Sequence, residues 1–364
     1  MMLGLRSRGK ADTAVFDAQR GESYPYPYPT GWYRIASADS IRPGEIRAIT
    51  CLGKQFVLWR ARESGEIHLM DAFCPHLGAN LAGGRVDGDC IECPFHLWQF
   101  DGEGRAQRIP YSDHPPERVL TRPYELEDVH GQLFLYHRSD AESGDPEEPP
   151  AYEVPRISEV DEGSFVRRGQ RNAGRVRMHI IEICENAADT AHFQALHSQL
   201  HLPWTQIRVP GVEIVHRAKW VLDEDRPWMM HFDDAVTLRA LGRTLPGGET
   251  KVRVSYHGPG SLLTFHFELP GWGELTMVKT FLPISPLEQQ IDFQWYAPKS
   301  MPRWLVWWVI GNWVSQFPQD IDIWENKTFQ ARPRLSRDDG PVIAMRRWYQ
   351  QFLPEPDDTR PGNA

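Results

Sequence analysis

The chain has 364 residues, 41% hydrophobic and 24% charged, the composition of a soluble globular protein long enough for two domains. A net charge of −9 argues against a nucleic-acid partner, which would call for a clustered basic face. The five cysteines form no disulfide framework, so the expected location is a reducing compartment, the cytoplasm by default.

Residues 1–23 carry Arg6, Arg8 and Lys10 but no apolar core long enough for a signal peptide, and are expected to be a poorly ordered leader. From Trp32 to His137 the chain reads as short strands, among them Gln55–Trp59, Ile67–Met70 and Gln132–Tyr136, separated by Gly, Asp and Pro. An all-β domain is therefore expected over 24–147.

Inside it stand Cys74-Pro75-His76 and Cys93-Pro94-Phe95-His96, with sixteen residues between His76 and Cys93. Each arm offers one thiolate and one imidazole. Two such arms can clamp a two-iron cluster, the thiolates on one iron and the imidazoles on the other, which is the Rieske 2Fe–2S arrangement; imidazole ligation raises its potential. Zinc is the competing reading, because Cys90 and Cys93 make a CxxC. A zinc knuckle would want a second CxxC or an HxxxH, and Cys74-x-His76 supplies neither. Cys90 then reads as a small buried hydrophobe.

The acidic, Pro-rich run from Ser139 to Pro150 reads as a linker, with the boundary near Glu148. The remainder, 148–364, mixes strands such as Thr264–Leu269 with helices, so the chain as a whole is α+β, with an antiparallel sheet as the platform of its second domain. One helix is expected over Glu185–Leu196 and another over Pro302–Asn326, bent at Pro318.

On the first helix, Asp189 precedes His192 by three residues and shares its face, and His197 follows by five. Two imidazoles and a carboxylate from a remote segment would make the facial triad of a non-haem Fe(II) site. Asp320 is the first candidate and Asp322 the second. The DxxHxxxxH pattern alone is weak, and His197 with His201 could bind metal without it. A one-electron donor cluster in the same chain strengthens it, since those electrons need a destination. Trp304, Trp307 and Trp308 share one face of the later helix. The plain reading is a core helix. The sharper one exposes that face as the mouth of an apolar pocket resting on a lipid interface, with Arg303 meeting headgroups. The greasy run is well short of the ~20 residues of a transmembrane helix.

Together Tyr26–Arg34, Asp71–Leu81, Cys90–Phe100, Gln319–Lys327 and Gly340–Phe352 make the chain, from Tyr24 to Leu353, resemble the Rieske non-haem iron oxygenases. The likeness is to the neverland-type cholesterol 7-desaturases and, further off, the oxygenase component of 3-ketosteroid 9α-hydroxylase. It implies a helix-grip-like catalytic domain, with Cys74, His76, Cys93 and His96 as cluster ligands and His192, His197 and Asp320 as ligands of a mononuclear Fe(II). It also implies a homotrimer in which the neighbour's cluster passes an electron through that neighbour's His96 to Asp189 and on to His192. The implied activity is O2-dependent oxidation of a sterol or steroid, by C7–C8 desaturation or by hydroxylation, with NAD(P)H electrons. No GxGxxG follows a strand, so a separate ferredoxin or flavin reductase must deliver them. Where the animal desaturases have a membrane-anchoring segment, a charged leader is expected here, and with it a different sterol. Peripheral membrane contact is an accompanying expectation. Alternative substrates are a C-4-methylated sterol, a 3-ketosteroid or a polyketide. Rival classes are a Rieske electron carrier, against which the long second domain counts, and a colourless zinc-binding interaction protein.

Overall fold

The computed structural model describes residues 20–114, 118, 120–139 and 149–355. The leader up to residue 19, most of the acidic linker and the boundary expected at 147/148 lie outside the described residues. Two compact units divide the chain, one of residues 31–161 and one in which residues 20–30 join 162–355.

The first unit is built of small antiparallel sheets. Strands β1 (Gly31–Ser37), β2 (Ile46–Cys51), β3 (Lys54–Arg60), β4 (Ile67–Asp71), β5 (Arg85–Asp87), β6 (Cys90–Glu92), β7 (Gln99–Phe100), β8 (Ala106–Arg108), β9 (Pro123–Tyr124), β10 (Leu126–Val129) and β11 (Gln132–His137) form three sheets, ordered β1-β11-β10, β2-β3-β4-β9 and β5-β6-β7-β8. The β2–β3 connection is the two-residue turn Leu52-Gly53, both at positive φ, the twist that matches a hairpin. Val57, Trp59, Met70, Leu81, Ile91 and Phe100 form a core into which Cys74 and Cys93 are packed. The two cysteines are thereby anchored on apolar surface while the residues after them reach outward.

The second unit centres on one antiparallel sheet of nine strands: β12 (Phe165–Val176), β13 (Gln199–His201), β14 (Arg208–Val215), β15 (Ala218–Leu222), β16 (Met229–Ala240), β17 (Arg243–His257), β18 (Leu262–Leu269), β19 (Gly273–Ser285) and β20 (Glu288–Pro298). The order is β12-β20-β19-β18-β17-β16-β14-β13, and β15 takes the other half of the β16 edge that β14 uses. Register aligns Tyr256, Leu263, Lys279 and Phe293 in one row across four strands, and Val254, Phe265, Met277 and Trp295 in the next. With a side-chain period of two, these rows make one continuous face.

Four helices serve that sheet: α1 (Ile181–Ala188), α2 (Ala191–Leu196), α3 (Arg303–Trp324) and α4 (Val342–Tyr349). α3 lies against the apolar face, its Trp313 ring 5.5 Å from those of Phe265 and Phe267 and its Phe317 ring 5.5 Å from Phe293. It continues past Pro318 as one helix, although proline deletes one backbone donor there. Leu305, Val306, Ile310 and Val314 face inward. Trp304, Trp307 and Trp308 do not; they are 60%, 52% and 39% exposed, so the plain core reading fails for that face of the helix. No described helix is long and apolar enough to cross a membrane.

The helix expected over Glu185–Leu196 is two helices. α1 ends at Ala188, and Asp189 leaves the helical region with ψ of 79°. Asp and Thr at 189 and 190 are weak helix formers that compete for backbone hydrogen bonds. Packing completes the break: a Cβ on Gly340 would sit 1.8 Å from the Ala188 carbonyl oxygen, so only glycine lets the later chain approach that helix end. Asp189 and His192 therefore do not share a helical face.

Candidate active site

In the first unit the two Cys/His arms fold alike. The Gly78 N–H donates to the Cys74 carbonyl and the Leu97 N–H to the Cys93 carbonyl, each closing a turn at a residue of positive φ, 75° at Gly78 and 59° at Leu97. Leucine tolerates that conformation poorly, so the second turn holds local strain. The His76 and His96 rings lie 4.6 Å apart, and Trp98 stacks on His76 at 4.6 Å. Nδ1 of His76 and Nδ1 of His96 are buried without a hydrogen-bond partner among the described residues. Orphaned ring nitrogens of this kind suit metal ligation, since burying them otherwise costs free energy. Burial pushes the Cys74 thiol up to about 11, so a nearby cation is required to keep it a thiolate. Cys90 stands apart on β6.

In the second unit His192, His197 and Asp320 do converge, with ligand atoms all within 4.8 Å of one another. The break after α1 frees the Asp189 carbonyl to accept a hydrogen bond from His192 Nδ1. A carbonyl can only accept, so the proton sits on Nδ1 and the Nε2 lone pair is left for a metal. Burial, above all, holds the His192 imidazole below its ordinary range and keeps it neutral, the form that ligates. His197 closes α2, its Nε2 3.0 Å from Asp320 Oδ1. The Asn186 amide donates to the same Oδ1 at 3.2 Å, and Trp324 Nε1 donates to the Asn186 carbonyl at 3.2 Å. Asp320 lies inward, whereas Asp322, two residues on and nearly opposite on the helix, is exposed. His201 is buried on β13, its Nε2 3.3 Å from the Gln319 amide, outside the triad.

Sequence reasoning missed Asn186 and a second pair. His216 contacts buried Asp234 through Nδ1 at 2.6 Å, and its Nε2 lies 3.3 Å from the His197 carbonyl. Asn186 carries no sequence signal of its own beside Glu182 and Glu185 on the same short helix, and nothing in the sequence ties His216 to the triad.

The triad lines a cavity of about 190 Å³ that is partly open to solvent. Its walls are mainly apolar, with Val252, Val254 and Phe265 from the sheet and Val309, Trp313 and Phe317 from α3. An apolar cavity lined in part by a two-His, one-carboxylate site is suited to oxidising an apolar molecule at an iron that keeps open positions for O2. Together with a redox-cluster module in the same chain, that is the architecture of an oxidoreductase.

Comparison with known proteins agrees. Residues 31–125 match the Rieske 2Fe-2S domain and residues 140–353 the 3-ketosteroid 9alpha-hydroxylase C-terminal domain. Cholesterol 7-desaturase nvd of Xenopus laevis is 35% identical over 95% of this chain and 77% of its own. The 3-ketosteroid-9-alpha-monooxygenase oxygenase component of Rhodococcus rhodochrous is 27% identical over 93% and 87%. Among solved structures, dicamba monooxygenase bound to dicamba shares the fold with a TM-score of 0.64 at 16% identity, over 90% of this chain and 98% of its own. The chain belongs to the Rieske non-haem iron oxygenases, in the group of the cholesterol 7-desaturases and the 3-ketosteroid 9-alpha-monooxygenases. Its cofactors are a Rieske cluster and a mononuclear non-haem iron, and its oxidant is O2.

Proposed function

We propose that this chain is the terminal oxygenase of a sterol- or steroid-oxidising system, acting by C7–C8 desaturation or by hydroxylation. The observation that carries the reading is the His192–His197–Asp320 triad in the wall of a mainly apolar cavity. The ligands are His192, His197 and Asp320 for the iron, and Cys74, His76, Cys93 and His96 for the cluster. When bound, the iron supplies reductive O2 activation against an unactivated C–H bond. Hydroxylation consumes one O2, two electrons and two protons to give an alcohol and one water; desaturation consumes the same and gives an alkene and two waters. The electrons come from NAD(P)H through a separate reductase.

The protein's own groups set the geometry. Asn186 fixes the Asp320 carboxylate, the Asp189 carbonyl fixes the His192 tautomer, and the apolar walls hold a rigid substrate and keep water out. Asp189 is the electron-transfer bridge, reached by His96 of a neighbouring copy in a homotrimer. Phe73, Leu77, Phe95 and Leu97, exposed around the cluster arms, suit such a contact. The exposed Trp304, Trp307 and Trp308, joined by Trp272 with its ring 5.7 Å from that of Trp304, support peripheral docking on a membrane from which a sterol is drawn.

The test is twofold. The reconstituted protein should hold three irons per chain and a red-brown Rieske spectrum, and with a reductase, NAD(P)H and O2 it should convert cholesterol or a 3-ketosteroid. Two irons per chain with no oxygen uptake on any sterol would make it an electron carrier instead.

A further inference from the structure

The cavity wall contains an ammonium with no evident purpose in the metal site. Lys279 projects from β19 in the row it shares with Leu263 and Phe293, and the residue is only 5% exposed. Its Nζ sits 3.5 Å from the Phe317 ring centroid, 4.9 Å from Phe281, 5.2 Å from Phe293 and 5.9 Å from Trp324. It makes no hydrogen bond among the described residues, and it lines the same cavity as the triad.

Such a placement is costly. An ammonium carries three donors, and aromatic faces return only part of what is lost with its hydration shell. Burial pushes the Lys279 amine down to about 7, partly offset by the Asp320 carboxylate. Of the other polar groups on the wall, His216 is engaged with Asp234, Asn186 with Asp320 and Trp324, and the Asn312 and Gln316 amide nitrogens with backbone carbonyls, while the Asn312 and Gln316 side-chain oxygens have no partner among the described residues and the Tyr256 and Thr250 hydroxyls share the lining. Charged or neutral, the Lys279 amine keeps donors turned toward the cavity. A purely hydrocarbon substrate would leave them unsatisfied; a substrate bearing one oxygen at the right place would not.

We propose that Lys279 is a specificity-determining residue, its Nζ donating a hydrogen bond to the single hydroxyl or keto oxygen of the apolar polycycle held in the cavity. This rests on the reading of the substrate as a sterol or steroid. It accounts for a donor in an apolar wall, because a site built to hydrogen-bond an oxygen disfavours the analogue that lacks it, whose binding leaves the donor unpaired. The four rings serve as a sleeve that holds the flexible side chain in one direction, lowering the ordering cost on binding.

The experiment compares cholesterol with 5-cholestene, which differs only in lacking the 3-hydroxyl. Both are delivered from cyclodextrin to the iron-loaded protein under anaerobic conditions, and binding is read from quenching of tryptophan fluorescence. The wild type should bind cholesterol roughly tenfold more tightly than 5-cholestene. Lys279→Met, which keeps the length and loses the donors, should bind the two equally, at the wild-type affinity for 5-cholestene. Lys279→Gln keeps an amide donor and should retain part of the preference; it carries the test if the Met variant does not fold. A preference that survives in the variants, or is missing from the wild type, overturns the role of Lys279 and leaves the sterol reading intact. A wild type that binds neither sterol ends both.

Discussion

At the scale of single residues, the site turns on which carboxylate faces inward. Asp320 sits against His197 and Asn186, and Asp322 faces out. Asp320→Ala should therefore lose the mononuclear iron, dropping metal content from three irons per chain to two, and abolish turnover while the Rieske spectrum stays unchanged. Asp322→Ala should keep all three irons; the opposite pattern would reassign the ligand. Asn186 acts through Asp320, so Asn186→Ala should still bind iron but with affinity weakened about 10- to 100-fold, measurable by chelator competition. The sequence displayed the triad because its three members are ionisable side chains at telling intervals. It hid Asn186 and His216, whose roles come from partners 134 and 19 positions away and from no local pattern.

The helical break between α1 and α2 governs at the scale of elements. Hydrophobic spacing around Glu185–Leu196 suggested one helix, and neither the weak formers Asp189 and Thr190 nor the distant Gly340 could be weighed without knowing they meet. Gly340→Ala should push a methyl into the Ala188 carbonyl and destabilise the fold by about 1–3 kcal/mol, read as a lower denaturant midpoint. The same shift should displace the Asp189 carbonyl, so iron loading should fall in parallel while the cluster in the other unit is spared. Stability loss with normal iron affinity would separate the glycine from the metal site. The Pro302–Asn326 helix, by contrast, was legible almost to the residue, because its length and its apolar stripe are local properties.

For the whole molecule, two domains and an antiparallel catalytic sheet were readable from composition, punctuation and strand-like runs. The strand order was not, since β14 and β15 share one edge of β16 and such pairing depends on long-range register. Nor was the outward face of α3, because an aromatic stripe at helical spacing reads the same for a core and for a surface. With those tryptophans exposed, Trp307→Ser/Trp308→Ser should lower co-sedimentation with sterol-containing liposomes several-fold and leave the melting temperature nearly unchanged. Equal lipid binding by the variant and the wild type would remove the membrane from this account.

The carbonyl at the helical break has one more consequence. Asp189 offers two groups: its main-chain oxygen holds His192, and its side chain is the electron-transfer bridge of the proposed function. The first is a backbone contact, which an isosteric exchange that preserves the helical break leaves in place, so the second can be lost alone. Asp189→Asn should thus keep the iron, its ligand tautomer and the trimer, yet a reduced cluster should fail to discharge in a single turnover. The proposed wiring between the metal centres and the coordination of the iron are thus separable at one position of this chain.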